Sequence, residues 1–399
     1  MCANTKADAN QGQATAAASD RRPRRWHDFT RLACSLALVA AVVPLTACND
    51  SSAADDHTAA PKFVVDPAWP KQLPNNWIIG QVAGVAVDRD DNIWVLHRPR
   101  SNTPDELGAA QQPPRSECCM PAPPVLKFDA EGNVLDSWGG EGQGYNWPTV
   151  EHGIWADDSG NIWVGGNGAT DRQILKFSPT GQFLLQIGSP SADPIDSSRT
   201  DILGQVASLT VDDEANEVYL ADGYGNKRII VYDAQNGQFK RLWGAYGNVP
   251  DDTNPGPYDP AAPIAQQFRN PVHCVRISND GLVYVCDRVN NRIQVFTKAG
   301  GFIKEFFVRP ETRGNGSTWD LSFSTDFAQR YIVVIDGENN VIWTVDRANG
   351  DVVDKQASRG RNAGQFHWVH QFGTDSNGNI YTGEVDTSKR LQKFLLQAN

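Results

Sequence analysis

Gly281-Leu282-Val283-Tyr284-Val285, followed at a short distance by Ile293-Gln294-Val295-Phe296, is the stretch that decides the fold. It reads as a glycine turn, an aromatic strand and a further strand. The same grammar recurs in Asp91-Asn92-Ile93-Trp94-Val95, Gly160-Asn161-Ile162-Trp163-Val164 and Gly378-Asn379-Ile380-Tyr381-Thr382. Asn216-Glu217-Val218-Tyr219-Leu220 and Tyr331-Ile332-Val333-Val334-Ile335 are more divergent copies. Third strands follow, as in Ile174-Leu175-Lys176-Phe177 and Leu391-Gln392-Lys393-Phe394, and a fourth often comes after another turn. Short strands rich in β-branched and aromatic residues, separated by Gly, Asn and Asp, are an all-β signature. Six units of four strands predict a six-bladed β-propeller. The blades fall at about 80–140, 147–189, 203–245, 268–308, 316–360 and 366–399. The last unit has only three strands. The N-terminal segment 62–66 is expected to supply its fourth and close the ring, leaving no open sheet edge. Residues 62–399 are therefore read as one domain.

The ends of the chain carry a different signal. Arg21-Arg22-Pro23-Arg24-Arg25 precedes an apolar run from Leu36 to Leu45, then Thr46-Ala47-Cys48. A basic region, a short apolar core and small residues before a cut predict a secretory signal over 1–47. The run is too short for a spanning helix. Leu45-Thr46-Ala47-Cys48 resembles the bacterial lipobox, which implies lipidation at Cys48, a flexible tether over 48–61 and attachment to the cell envelope. An ordinary signal with a chance cysteine is the plainer alternative. The whole chain carries a formal charge of −11, and removal of 1–47 would leave it near −14. With no basic patch, this balance excludes nucleic acid as a partner and limits membrane contact to the lipid anchor. The domain is expected to be a monomer acting on a small molecule or a peptide terminus. Four cysteines remain in the domain, an even number in an exported chain. Cys118-Cys119 could form a vicinal disulfide, stay free or pair elsewhere. Cys274 and Cys286 lie on adjacent strands and could bridge across them.

Eleven residues before the aromatic of the second strand stands a recurring position. From Trp163 it is His152, from Tyr284 His273, and from Tyr381 His370. The other blades put Ala83, Ala207 and a residue near Asp320 there. Histidines thus occupy alternate blades, about 120° apart on a six-bladed ring. The first strand of a blade lines the channel, so three neutral imidazoles converge. That suits Zn²⁺ and leaves a coordination position open. Cys274 follows His273, and strand alternation turns it away. The remaining domain histidines, His97 and His367, need no special role, though either could support a ligand. Strand direction gathers Arg98, Asn167, Tyr224, Arg288 and Glu384 on the same mouth, with the long insertions 99–124, 189–201 and 247–267. Long loops without repeat character are often functional.

The repeat resembles the NHL repeat. Glu151-His152-Gly153, Ala221-Asp222-Gly223-Tyr224-Gly225-Asn226-Lys227-Arg228-Ile229, Pro271-Val272-His273 and Asp287-Arg288-Val289-Asn290-Asn291-Arg292 are similar to the blade motifs of peptidyl-α-hydroxyglycine α-amidating lyase. The resemblance covers most of the domain. It implies zinc at His152, His273 and His370, a catalytic tyrosine at Tyr224 and a substrate-binding arginine at Arg98; Arg288 and Gln371 are read as further substrate-binding residues. The family has an aspartate after its third histidine, which helps to hold a structural calcium; here Gln371 stands in its place. A neutral amide cannot act as a base, which weakens the case for Ca²⁺ and leaves the reaction open. The cysteines also sit elsewhere than in the family.

The residue types suit cleavage of a hydroxyglycine-like N–C bond. Zinc polarises an oxygen, Tyr224 serves as base and Arg98 clamps a carboxylate. The same set would serve a metal-dependent hydrolase of the lactonase or esterase type. A non-catalytic cell-surface binding propeller is the third reading, in which Tyr224 packs in a loop and Arg98 pairs with an acid.

Overall fold

A computed structural model describes residues 59–397. The signal 1–47, Cys48 and the tether up to residue 58 lie outside the described residues. Six four-stranded antiparallel sheets follow one another along the chain. Their inner strands are Gln81–Val87, Glu151–Ala156, Ser208–Asp212, Val272–Ile277, Asp320–Phe323 and Val369–Thr374. Each inner strand touches the next, and the sixth touches the first, so the sheets form a closed six-bladed propeller. We number the blades 1 to 6 in this order. Phe63–Asp66 pairs antiparallel with Leu391–Leu396 as the outer strand of blade 6, in the register Phe63↔Leu396 to Asp66↔Lys393. The Gln356 side chain holds that entry from blade 5: its Oε1 accepts from Phe63 N (2.7 Å) and its Nε2 donates to Pro61 O (2.9 Å). No helix among the described residues is long and apolar enough to cross a membrane.

The repeat is most legible in blades 1, 2 and 6, which solve the same turn problem in the same way. In blade 1, Asp88 Oδ1 accepts from the main-chain N–H of Asn92 (2.9 Å) while Oδ2 accepts from the Trp94 indole N–H (2.9 Å). Asp157 repeats this with Asn161 and Trp163, and Asp375 with Asn379 and the Tyr381 hydroxyl. The aspartate satisfies the turn's donors and pins the buried aromatic of the next strand. Lys127, Lys176 and Lys393 then lie over those rings at 4.9, 4.8 and 5.3 Å. Apolar side chains from facing blades interdigitate in six clusters, one per interface. Cys274 and Cys286 form a disulfide across paired strands, and Cys118 and Cys119 form a vicinal one.

His97 holds the insertion that follows blade 1's second strand. Its Nδ1 accepts from Gly80 N (3.0 Å), so its Nε2–H donates to Pro123 O (2.9 Å). Full burial pushes its pKa down to about 4. A folded-state pKa below the unfolded one gives stability that is complete above about pH 6.5 and lost as pH falls towards 4. Between pH 7 and pH 4.5 the wild type is expected to lose about 2–3 kcal/mol more than His97→Gln in urea unfolding. Parallel pH profiles for the two proteins would refute this.

Candidate metal centre

His152, His273 and His370 are fully buried, and their ligand atoms lie within 4.8 Å of one another. Each enters the channel at an irregularity in its inner strand. The pairing register shifts between Glu151 and Ile154, between Val272 and Cys274, and between Val369 and Gln371. A bulge re-aims one side chain without breaking the sheet. In blade 2, Gly153 has φ +74° and a Cβ there would stand 2.9 Å from Ala207 O, so only glycine permits the approach.

The non-histidine blades complete the centre with main-chain carbonyls. His152 Nδ1 donates to Ala207 O (2.6 Å), His273 Nδ1 to Trp319 O (2.5 Å) and His370 Nδ1 to Ala83 O (2.9 Å). Odd-numbered blades thus orient the imidazoles that even-numbered blades supply. A carbonyl can only accept, so every Nδ1 carries the proton and every Nε2 lone pair faces inward. Burial, then the neighbouring cationic groups, holds all three pKa values well below the usual one, with Arg288 second to burial at His273 and Arg98 at His370. The rings are therefore neutral. This donor set fits a zinc ion with three nitrogen ligands and a further position for water or substrate.

Tyr224 lies on the connection after the second strand of blade 3. Its hydroxyl is 3.0 Å from His152 Nε2 and 3.2 Å from His273 Nε2. Arg288 is buried beside it, with Nη1 3.5 Å from the Tyr224 oxygen. Its guanidinium stacks 4.3 Å from the Trp319 ring, and its Nε has no hydrogen-bond partner. Arg98 is differently placed. Its Nε donates to Glu151 O (2.9 Å), its Nη1 to Gln81 Oε1 (2.8 Å) and its Nη2, at 3.4 Å, to Asn167 Oδ1. Burial lowers the pKa of both arginines, and the Tyr224 oxygen opposes that effect at each. Of the two guanidiniums, that of Arg288 keeps donors free to meet a carboxylate.

Gln371 turns into the channel beside His370. Its Nε2 donates to Ala207 O (3.0 Å), the same carbonyl that orients His152. Asp320 and Arg276 lie in the same buried region. Arg276 Nη2 is 2.7 Å from Asp320 Oδ1, Nη1 donates to Ser208 Oγ (2.9 Å), and the guanidinium lies 5.4 Å from the Trp155 ring. A calcium ion needs six to eight oxygen ligands. Here an amide N–H occupies the Ala207 carbonyl and an arginine already pairs with the nearby carboxylate. The residues do not fit calcium.

The structure thus brings together His152, His273, His370, Tyr224 and Arg288, with Arg98 and Gln371 adjoining through their protein partners. His367 stays outside the cluster and its Nε2 meets Thr387 Oγ1 (3.0 Å). Cys274 is committed to its disulfide. Sequence reasoning missed Trp319, which lies 5.7 Å from the His273 ring and 5.9 Å from that of His370. It also missed Arg276, although the paired Asp320 stood beside the counted column. The insertions gather near the same mouth: Ser197 Oγ donates to Asp252, and the Lys389 ammonium donates to Ser101 O and Glu106. A cleft of about 710 Å³ lies among them, lined by Gly225, Asn270 and Val289, the chain neighbours of this centre, and by Tyr258 and Arg313.

Fold and site together define a six-bladed β-propeller with a three-histidine channel cluster. A family model described as the NHL repeat matches residues 271–296. The chain is similar to peptidyl-glycine alpha-amidating monooxygenase B of Xenopus laevis, at 27% identity over 80% of this chain and 34% of that protein. It thus spans about a third of that relative's length. It is also similar to a probable peptidyl-alpha-hydroxyglycine alpha-amidating lyase of Caenorhabditis elegans, at 24% identity over 80% of this chain and 83% of the other. Among solved structures, a streptogramin B lyase superposes with a TM-score of 0.48 at 12% identity, covering 84% and 98% of the two chains.

Proposed function

We propose that this protein is a zinc-dependent lyase of the peptidyl-α-hydroxyglycine amidating type, carried on the envelope by a lipid at Cys48. The observation that supports it most is the Tyr224 hydroxyl, set 3.0 and 3.2 Å from two of three converging imidazole nitrogens beside an arginine whose Nε has no partner. Named relatives with amidating activity support the same reading.

Zinc held by His152, His273 and His370 would supply a Lewis acid to the substrate oxygen. Arg288 binds the substrate carboxylate through its free donors. Tyr224, as base, takes the proton of the α-hydroxyl. The C–N bond breaks as the hydroxyl carbon becomes a carbonyl, and the departing nitrogen takes up a proton. An N-acyl-α-hydroxyglycine gives a terminal amide and glyoxylate, with no oxidant or reductant consumed. Arg98, tied to Gln81 and Glu151, adds positive charge beside Tyr224.

The test begins with the metal content of the purified protein, expected at about one zinc per chain. Glyoxylate release from an α-hydroxyglycine substrate should then follow. Less than about half an equivalent of any transition metal would remove the basis of this reading. A metal-replete protein that opens lactones and leaves hydroxyglycines intact would make it a hydrolase.

A further inference from the structure

Arg276 shares an inner strand with His273 and stands three residues further from the mouth, about 10 Å along the strand. It is buried and lines a cavity of about 150 Å³ among the inner strands of blades 1, 2, 4, 5 and 6. The proposed reaction does not use it, yet both its terminal nitrogens are engaged. Nη1 donates to Ser208 Oγ of blade 3 (2.9 Å) and to Val275 O (2.9 Å). Nη2 meets both carboxylate oxygens of Asp320 in blade 5, at 2.7 and 2.8 Å. Trp155 of blade 2 presents its ring to the guanidinium at 5.4 Å. Asp320 Oδ2 also accepts from Phe372 N of blade 6 (3.3 Å). One guanidinium and its carboxylate thereby join five blades.

These bonds fall beside each of the three histidines. Ser208 follows Ala207, whose carbonyl orients His152 and also accepts from Gln371. Asp320 follows Trp319, whose carbonyl orients His273. Phe372 stands two residues after His370 on the same strand. The four-stranded ladders run within blades, so side-chain packing sets how one inner strand lies against the next. Apolar packing is non-directional. Charge-assisted hydrogen bonds are short and directional, and they fix where a strand stops. A buried ion pair is weak grounds for stability, because desolvation offsets its attraction; its best-attested use is to fix register.

We propose that Arg276 is a positioning residue for the metal centre. Its ion pair with Asp320 fixes the inner strands of blades 3, 5 and 6 against blade 4, so that all three imidazoles keep their aim. It also supplies from within the chain the positive charge that a bound calcium ion would bring to this depth of the channel. The inference rests on the zinc reading of the three histidines for its metal readout alone.

The test replaces both partners, Arg276→Met with Asp320→Leu, so that no charge is left buried alone. Such an exchange often leaves stability unchanged. Zinc affinity, read with a competing chelator, should still fall by about 10- to 100-fold. In the metal-free protein, nitrogen NMR of labelled histidine should show the Nδ1–H of at least two of the three rings exchanging with solvent at least about tenfold faster. Ser208→Ala removes one arm and should lower zinc affinity by about two- to tenfold, the worth of one hydrogen bond. Should the paired variant not fold, Ser208→Ala decides by the same two readouts, the His152 ring giving the exchange. Calcium added to the wild type at about 1 mM should change neither readout. Zinc held as tightly as in the wild type, exchange as slow, or a gain in either readout with calcium would overturn the proposal. If exchange quickens and the wild type holds no zinc, Arg276 positions the imidazoles and the zinc reading falls. If the wild type holds zinc and the paired variant holds it as tightly, the zinc reading stands and the positioning role falls.

Discussion

His273→Ala is expected to lower zinc affinity by at least about 100-fold, more than the 10- to 100-fold that changes behind the ligands usually cost. The reason is geometric. Three Nε2 atoms face one point because each Nδ1 is tied to a carbonyl of the next blade, and removing His273 leaves two ligands about that point. The metal-free fold should survive. The change removes a buried ring and leaves Trp319 O without its donor, a cost of about 1–3 kcal/mol. That is a melting-temperature shift of several degrees, with an unchanged β-sheet circular dichroism spectrum. Zinc titration with a competing chelator reads the affinity. A variant that holds zinc as tightly as the wild type would show that the metal lies elsewhere.

Tyr224→Phe should separate chemistry from binding. The phenyl ring preserves the packing of Tyr224 against His152, at 4.8 Å between centroids, and His273, at 5.8 Å. Only the oxygen is lost. Zinc content and KM should therefore change little, while kcat for glyoxylate release falls by about 10²- to 10⁴-fold, the usual worth of a general base. An activity within threefold of the wild type would move the base elsewhere. A parallel rise in KM with kcat unchanged would make Tyr224 a binding group.

Much of this centre could be read from spacing, and the reasons are physical. Strand-turn-strand units of constant length put the same count between the buried aromatic and the channel residue. Asp157 and Asp375 anchor that count by bonding to Trp163 and Tyr381. Blade 5 lacks this anchor. Its turn between Phe323 and Tyr331 is longer, and the position counted near Asp320 proves to be Trp319. The role of Ala83, Ala207 and Trp319 was hidden for a different reason: a carbonyl accepts whatever its side chain, so residue type carries no trace of it. Arg276 and Asp320 occupy successive blades and meet because the inner strands of blades 4 and 5 pack side by side. Sequence made Arg98 the carboxylate clamp, and it could not show that the Arg98 donors are engaged by Glu151, Gln81 and Asn167 while Arg288 Nε has no partner.

The bond from His370 to Ala83 O crosses the junction where the ring is closed by residues 63–66. An ion bound to His370 is consequently coupled to that closure. Parting blade 6 from blade 1 would withdraw the acceptor that orients one of its three ligands. Closing the ring and binding the ion are then linked equilibria. At a free concentration 1,000 times the dissociation constant, the ion would hold the seam shut with about 4 kcal/mol. The ion would act as a rivet at the seam where the two ends of the described chain meet.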